Sequence, residues 1–450
     1  MFRRFRWAFA LLTVLAIIGL AVWIYRAGGP RFPIQETVLT NGTTLRLVSV
    51  QYGLSHTDPF LPPWQQWASR LPERWTRRMG LNLPAKLSAT GSNATLSVWL
   101  SASKAPGFPN QPGYGVLVGD DDWNFAGLAP ETSPMVGTTP LIAHYEGQWI
   151  SVFPRRSKEL RIRIYDFPWG NGRLLHEFRI PNPAQVSTNE VAPWLAEPLP
   201  QSQKSGDLEA TLVALQVWPT GHGMTVGDPA WHLARPEFTF RQGEQPTTNW
   251  VACHVRLADA TGNAAEGTGP HSWMNGRAYL VFPRWPLPLG EAWRMEVDFS
   301  QRHGFATNEL WAVGKVSIGT ATTALIPMTN RMSGTEVWIT ALQNSDINAF
   351  GRLGLRGVDL DVGAGSPPDG RRWHVTIAKA IDSTGRDVTA NQWTESGFEN
   401  NRQFHFNVST NATSLDLWFA YVPAQTMEFT AQPTRYTPRV KLPAGSRTSP

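Results

Sequence analysis

The residues whose types and spacing could do chemistry are a serine and a lysine three apart, one cysteine, two groups of aspartates and several loop tryptophans. Ser101-Ala-Ser-Lys104 fits the Ser-x-x-Lys pattern, in which a lysine amine takes the proton of a serine nucleophile. Its companions Ser-Asp-Asn and Lys-Thr-Gly occur nowhere, and the motif runs into a Pro-Gly loop instead of opening a helix, so the match is read as chance. Gly-x-Ser-x-Gly, His-Glu-x-x-His and a phosphate-binding glycine loop are missing from the sequence. Of the ten histidines, His222 in Gly-His-Gly and His271 in Pro-His-Ser lack partners at ligand spacing, which argues against zinc. Cys253 lies in an alternating, strand-like run without activating neighbours, the setting of a small buried hydrophobe. No catalytic residue, metal ligand or cofactor is assigned, and no enzymatic activity is expected. An unrecognised hydrolase remains the least favoured alternative, since it needs two carboxylates about 5–10 Å apart in one cleft.

Binding chemistry has more support. Trp123, after Asp120-Asp121-Asp122, and Trp169, in Pro-Trp-Gly-Asn-Gly, stand in loops where an indole can stack on a sugar ring. They are the residues of a glycan-binding alternative. The three aspartates, or Asp359 and Asp361 with Asp369, offer oxygen ligands for Ca²⁺. Asp359 and Asp361 alternate with Val358, Leu360 and Val362, however, so outward charges on a half-buried strand account for them. Between Pro59 and Pro84, the residues Trp64, Trp67, Leu71 and Trp75 recur at helical steps on one face, with Arg70, Arg74, Arg77 and Arg78 mostly on the other. An aromatic face opposite arginines suits either docking on the adjacent domain or a helix lying in a membrane interface. Pro72 divides such a helix unless it opens a second one.

These candidates must be positioned by strands. Short alternating runs separated by turn residues recur along the chain, and its 36 prolines and 39 glycines are spread without period, as in all-β sandwiches. Self-similarity is the stronger signal. Leu47-Val48-Ser49-Val50-Gln51, Leu212-Val213-Ala214-Leu215-Gln216 and Ile339-Thr340-Ala341-Leu342-Gln343 share one register. Trp250 and Trp373 each precede by nine residues an aspartate, Asp259 or Asp382, that opens a glycine-containing turn. Val-Phe-Pro-Arg at 152–155 recurs at 281–284, and in both copies a glutamate (Glu159, Glu291) stands seven residues before Asp-Phe (Asp166-Phe167, Asp298-Phe299). The sequence therefore predicts three degenerate repeats of a β-sandwich domain, at 36–183 with a helical insertion at 59–84, 207–325 and 335–433. A linker is expected at 184–206 and a Pro-rich tail at 434–450. In strand pattern and size the layout resembles tandem immunoglobulin-like domains, without their Cys, Trp, Cys spacing.

The first residues fix where these domains work. After a basic segment, 1–6, with Arg3, Arg4 and Arg6, the uncharged run from Trp7 to Tyr25 reaches about 28 Å as a helix, close to the roughly 30 Å bilayer core. Trp7, Trp23 and Tyr25 suit the two membrane interfaces, and the arginines before the span favour a cytoplasmic N-terminus. The run exceeds a cleavable signal core and lacks an A-x-A-like end, so a retained single-pass anchor is expected, with the bulk of the chain periplasmic or extracellular. The net charge of +5 is mostly anchor charge. Removing Arg3, Arg4, Arg6 and Arg26 leaves 36 basic against 35 acidic groups, a balance unlike that of a nucleic-acid binder. One cysteine permits no internal disulfide, so packing alone must stabilise the domains. The sequence points to a membrane-anchored, non-catalytic interaction or structural module of the cell envelope, whose partner is an unidentified envelope protein or a glycan.

Overall fold

The computed structural model describes residues 34–435, except 57, 62, 69–72, 79–86, 89–93, 104–113, 122–125, 130–131, 135–141, 151, 167–172, 220–231, 268–270, 275–276, 281–289, 319–327, 345–353, 366–371, 390–392 and 396–400. The expected anchor at 7–25 lies outside the described residues, and among those described no helix is long and apolar enough to cross a membrane. The described chain is nearly all β, in several sheets. Its helical elements with described bounds are Pro63–Ala68, Glu73–Arg78 and Thr307–Glu309. Two compact units divide it: one contains the described residues up to Ser187, the other those from Thr188 onward.

Three sheets have the same strand order. The first places Gln35–Val38, Thr44–Gly53, Thr95–Ser103, Ile142–Ile150 and Thr132–Pro134 side by side. The second repeats the order with Gln201–Ser205, Leu208–Pro219, His232–Gln242, Arg277–Leu280 and His271–Met274. The third repeats it with Met328–Met332, Thr335–Asn344, Leu355–Ala364, Asn401–Ser409 and Trp393–Glu395. The match extends to single residues. Register slips between Leu47 and Ser49, between Leu212 and Ala214, and between Ile339 and Ala341, so Val48, Val213 and Thr340 are β-bulges at one equivalent position. A bulge inverts the inward–outward alternation. It lets Leu45 and Leu47 share the core with Val50, Leu212 with Leu215, and Ile339 with Leu342, although each set breaks the period of two.

A second sheet covers each of these. In the first repeat it consists of Leu174–Pro181, Glu159–Tyr165, Gly115–Gly119 and Ala126–Ala129, and Leu45, Leu47 and Val98 from one sheet pack on Val116, Ile162 and Ile164 from the other. Its edge is a hairpin, with Glu159–Tyr165 paired to the strand that follows it. The other two repeats exchange that edge strand. Trp293–Gln301 pairs with Gln425–Ala431 from the end of the chain, and Ser414–Pro423 pairs with Leu310–Ser317. Loop length accounts for one half of the exchange, the departure of Gln425–Ala431. Only Ala424 separates Ser414–Pro423 from Gln425–Ala431, whereas a tight hairpin needs about two connecting residues. The chain cannot turn back and instead continues into the other repeat's sheet.

Strand pairing thus draws limits different from those read off the sequence. Leu310–Ser317, expected in the second domain, contributes Val313 and Val316 to the third core, while Gln425–Ala431, expected in the third, contributes Phe429 to the second. The expected linker at 184–206 is partly structured. Gln201–Ser205 is a paired strand, and the amide of Glu197 donates to the carbonyl of Thr430 at 2.9 Å. Of the expected tail, Thr434–Arg435 pairs in parallel with Gln216 and Val217.

The two aspartate turns are near copies. Asp259 Oδ1 accepts from the amides of Thr261 and Asn263 at 2.8 and 3.0 Å, and Asp382 Oδ1 from those of Thr384 and Arg386 at 3.0 and 3.1 Å. Gly262 and Gly385 occupy the left-handed region at φ +88° and +84°. A Cβ added at Gly385 meets nothing within 4 Å, so substitution there isolates the backbone penalty. Gly385→Ala is expected to lower stability by about 1–2 kcal/mol and Gly385→Asn by less, read from urea midpoints. Equal midpoints for all three proteins would contradict the turn assignment.

Candidate functional site

The densest constellation of ionisable groups among the described residues lies on the outward face of the second repeat's four-stranded sheet. Alternation places it there. Trp293, Met295, Val297 and Phe299 point into the core, leaving Arg294, Glu296 and Asp298 on the opposite face. His254 and Arg256 lie directly across from Asp298 and Glu296 on one neighbouring strand. Thr426 and Glu428 lie across from the same two residues on the exchanged strand. The third repeat adds Arg372, just before Trp373–Asp382.

Asp298 is the centre. Its side chain is only 6% exposed, and it accepts from Thr426 Oγ1 at 2.6 Å and from an Arg372 guanidinium nitrogen at 3.1 Å, with His254 Nδ1 at 3.5 Å from its other oxygen. Arg372 also reaches Glu296, which Arg256 bonds at 2.9 Å. Arg294 pairs with Glu428 at 3.0 Å and lies over the Trp194 ring at 4.6 Å. Three guanidinium groups thus face three carboxylates. Burial pushes the Asp298 carboxyl up, but hydrogen bonds from His254 and Thr426 and the charge of Arg372 outweigh it and hold the group below the usual carboxylate range. Glu296 is likewise held low, with burial opposed by Arg372 and Arg256.

An Asp–His pair beside a cysteine invites a nucleophilic reading, and the geometry argues against one. Cys253 is buried, and its Sγ donates to the backbone carbonyl of Asp298 at 3.1 Å. Asp298 already accepts from several donors and stays ionised, so its lone pairs are committed to holding the exchanged strand and the third repeat. Neither a protein-family model nor a curated protein sequence matches this chain. The junction is therefore read from its own chemistry, which is that of a clamp: one buried carboxylate ties together three segments distant in sequence.

The sequence-derived candidates fall elsewhere. Arg3, Arg4, Arg6, Trp7, Trp23, Tyr25, Arg70, Leu71, Lys104, Trp123, Trp169, His222 and Asp369 lie outside the described residues. Within the insertion the described residues form two helices of six residues, Pro63–Ala68 and Glu73–Arg78, and Pro72 lies outside the described residues. Trp64 and Trp67 are on the first; Arg74, Trp75, Arg77 and Arg78 are on the second. Trp75 is 51% exposed between exposed Arg74 and buried Thr76. Ser101 belongs to the strand Thr95–Ser103. Asp121 lies 3.5 Å from Arg161, and among the described residues no group of three or more His, Cys, Asp or Glu side chains is arranged to hold a metal ion. Asp359 and Asp361 do face outward, bonded across the strands to His405 and Gln403. Sequence reasoning missed the clamp because Asp298 served only as a spacing landmark. The alternation of Arg294, Glu296 and Asp298 with apolar residues was the available signal; Arg372 had none.

Proposed function

We propose that this protein is a single-pass, membrane-anchored scaffold of the cell envelope that displays immunoglobulin-like β-sandwich repeats and acts by binding, not catalysis. The reading rests on one observation above all. A two-sheet unit recurs three times with the same strand order and the same bulge, and its second and third copies are tied by exchanged strands and a neutralised charge cluster. Such a build supplies sheet surface without a catalytic constellation among the described residues, although a fold alone does not fix a function. The apolar run at 7–25, with its flanking arginines and interfacial aromatics, supplies the tether.

Cell fractionation tests it. The full chain should stay with membranes through an alkaline carbonate wash, and deletion of 7–25 should release it. Recovery of the intact chain in the soluble fraction would end the reading. Trp75, exposed with Arg74 and Arg78, supports a second contact with the lipid surface. Deleting 59–84 from a chain already lacking 7–25 should then weaken binding to vesicles containing anionic lipid. Undiminished binding would assign the insertion to domain docking.

A further inference from the structure

We infer that the outward face of the third repeat's five-stranded sheet binds a neutral polysaccharide, with Trp338 as the stacking platform and the Asp361–Gln403 pair as the hydroxyl-binding group. This names a partner class for the proposed scaffold and rests on its non-catalytic reading. The loop tryptophans Trp123 and Trp169 take no part in it.

Position comes first. Val337 and Ile339 are buried in the core on either side of Trp338, so the indole is on the opposite face of the sheet, where it is half-buried. Its cross-strand neighbours are Gly363, which has no side chain, and exposed Thr329. With a glycine and a threonine at the paired positions, no large side chain on the neighbouring strands stands directly across from the indole, and the part of the ring that stays exposed is the surface a ligand would cover. Two residues along from Gly363, Asp361 accepts from Gln403 Nε2 at 2.9 Å. Among the described residues that is the one side-chain bond of the pair, and it leaves the second carboxylate oxygen of Asp361 and the amide oxygen of Gln403 open to hydroxyl donors. One step further along, His405 Nδ1 and Asp359 Oδ1 are 2.5 Å apart, and His405 is only 3% exposed, so this pair fixes the floor of the strip.

An aromatic face beside paired carboxylate and amide groups matches a sugar, which presents an apolar C–H face and a rim of hydroxyls. Two carboxylates on the strip disfavour acidic polysaccharides by like-charge repulsion. The expected ligand is therefore an uncharged chain of hexose or pentose units.

The test is affinity electrophoresis and calorimetry of the detergent-solubilised full chain against soluble starch, dextran, xylan and galactomannan, all in EDTA. Membrane localisation does not enter this readout, so its failure is distinguishable from failure of the anchoring proposal. At least one polysaccharide should bind. Trp338→Ala should weaken that binding at least tenfold, Trp338→Phe much less, and Asp361→Asn several-fold, with an unchanged thermal midpoint for Asp361→Asn. If Trp338→Ala fails to fold, the Phe and Asn variants decide. No binding to any of the four overturns the proposal. So does binding that survives Trp338→Ala, or binding that appears only when calcium replaces EDTA, because the two aspartates would then be a cation site.

Discussion

Phe429→Ala will destabilise the second repeat, not the third that precedes it in the chain, by about 3–5 kcal/mol. Phe429 is fully buried, with its ring 5.5 Å from Phe238 and 6.3 Å from Phe299, which themselves meet edge-on at 5.1 Å across the two sheets. Truncation removes the apolar surface and leaves a cavity that the paired strands cannot close without shifting. Hydrogen exchange on the full chain should show protection lost first in Leu208–Pro219, His232–Gln242 and Trp293–Gln301. Loss beginning in Ser414–Pro423 and Trp373–Asp382 would show that Gln425–Ala431 belongs energetically to the third repeat, contrary to the exchange.

The second large effect belongs to the clamp. Asp298→Ala leaves Arg372 and His254 facing a buried site without their carboxylate, a change that typically costs about 3–5 kcal/mol. Asp298→Asn keeps a hydrogen-bond acceptor and should cost less. The same group sets a pH dependence. Its folded-state pKa is depressed, so its stabilisation is present above the ordinary carboxylate range and disappears as pH falls through that range toward the lower folded value. Wild-type stability should therefore fall on acidification below about pH 4. Asp298→Asn should start lower and fall less steeply, retaining part of the slope because Glu296 and Asp382 are also held low. Parallel acid limbs for wild type and Asp298→Asn would remove Asp298 from the account.

What the sequence determined by itself was local and periodic. The shared register of Leu47, Leu212 and Ile339 marked three equivalent strands, and Asp259 and Asp382 with their glycines marked two equivalent turns. These features rest on side-chain alternation and backbone preference within a few residues, which any stretch of sequence carries. Which strand completes which sheet was a tertiary decision. Alternation within Leu310–Ser317 or Gln425–Ala431 does not name the sheet that each completes; the single residue at Ala424, too short for a hairpin, turned Gln425–Ala431 away from its predecessor. The same holds for the candidate sites. Asp298 and Arg372, or Trp338 and Gln403, are distant along the chain and gain their meaning only when pairing brings their strands together, because hydrogen bonds and ion pairs act over a few ångströms of space and carry no trace in sequence order.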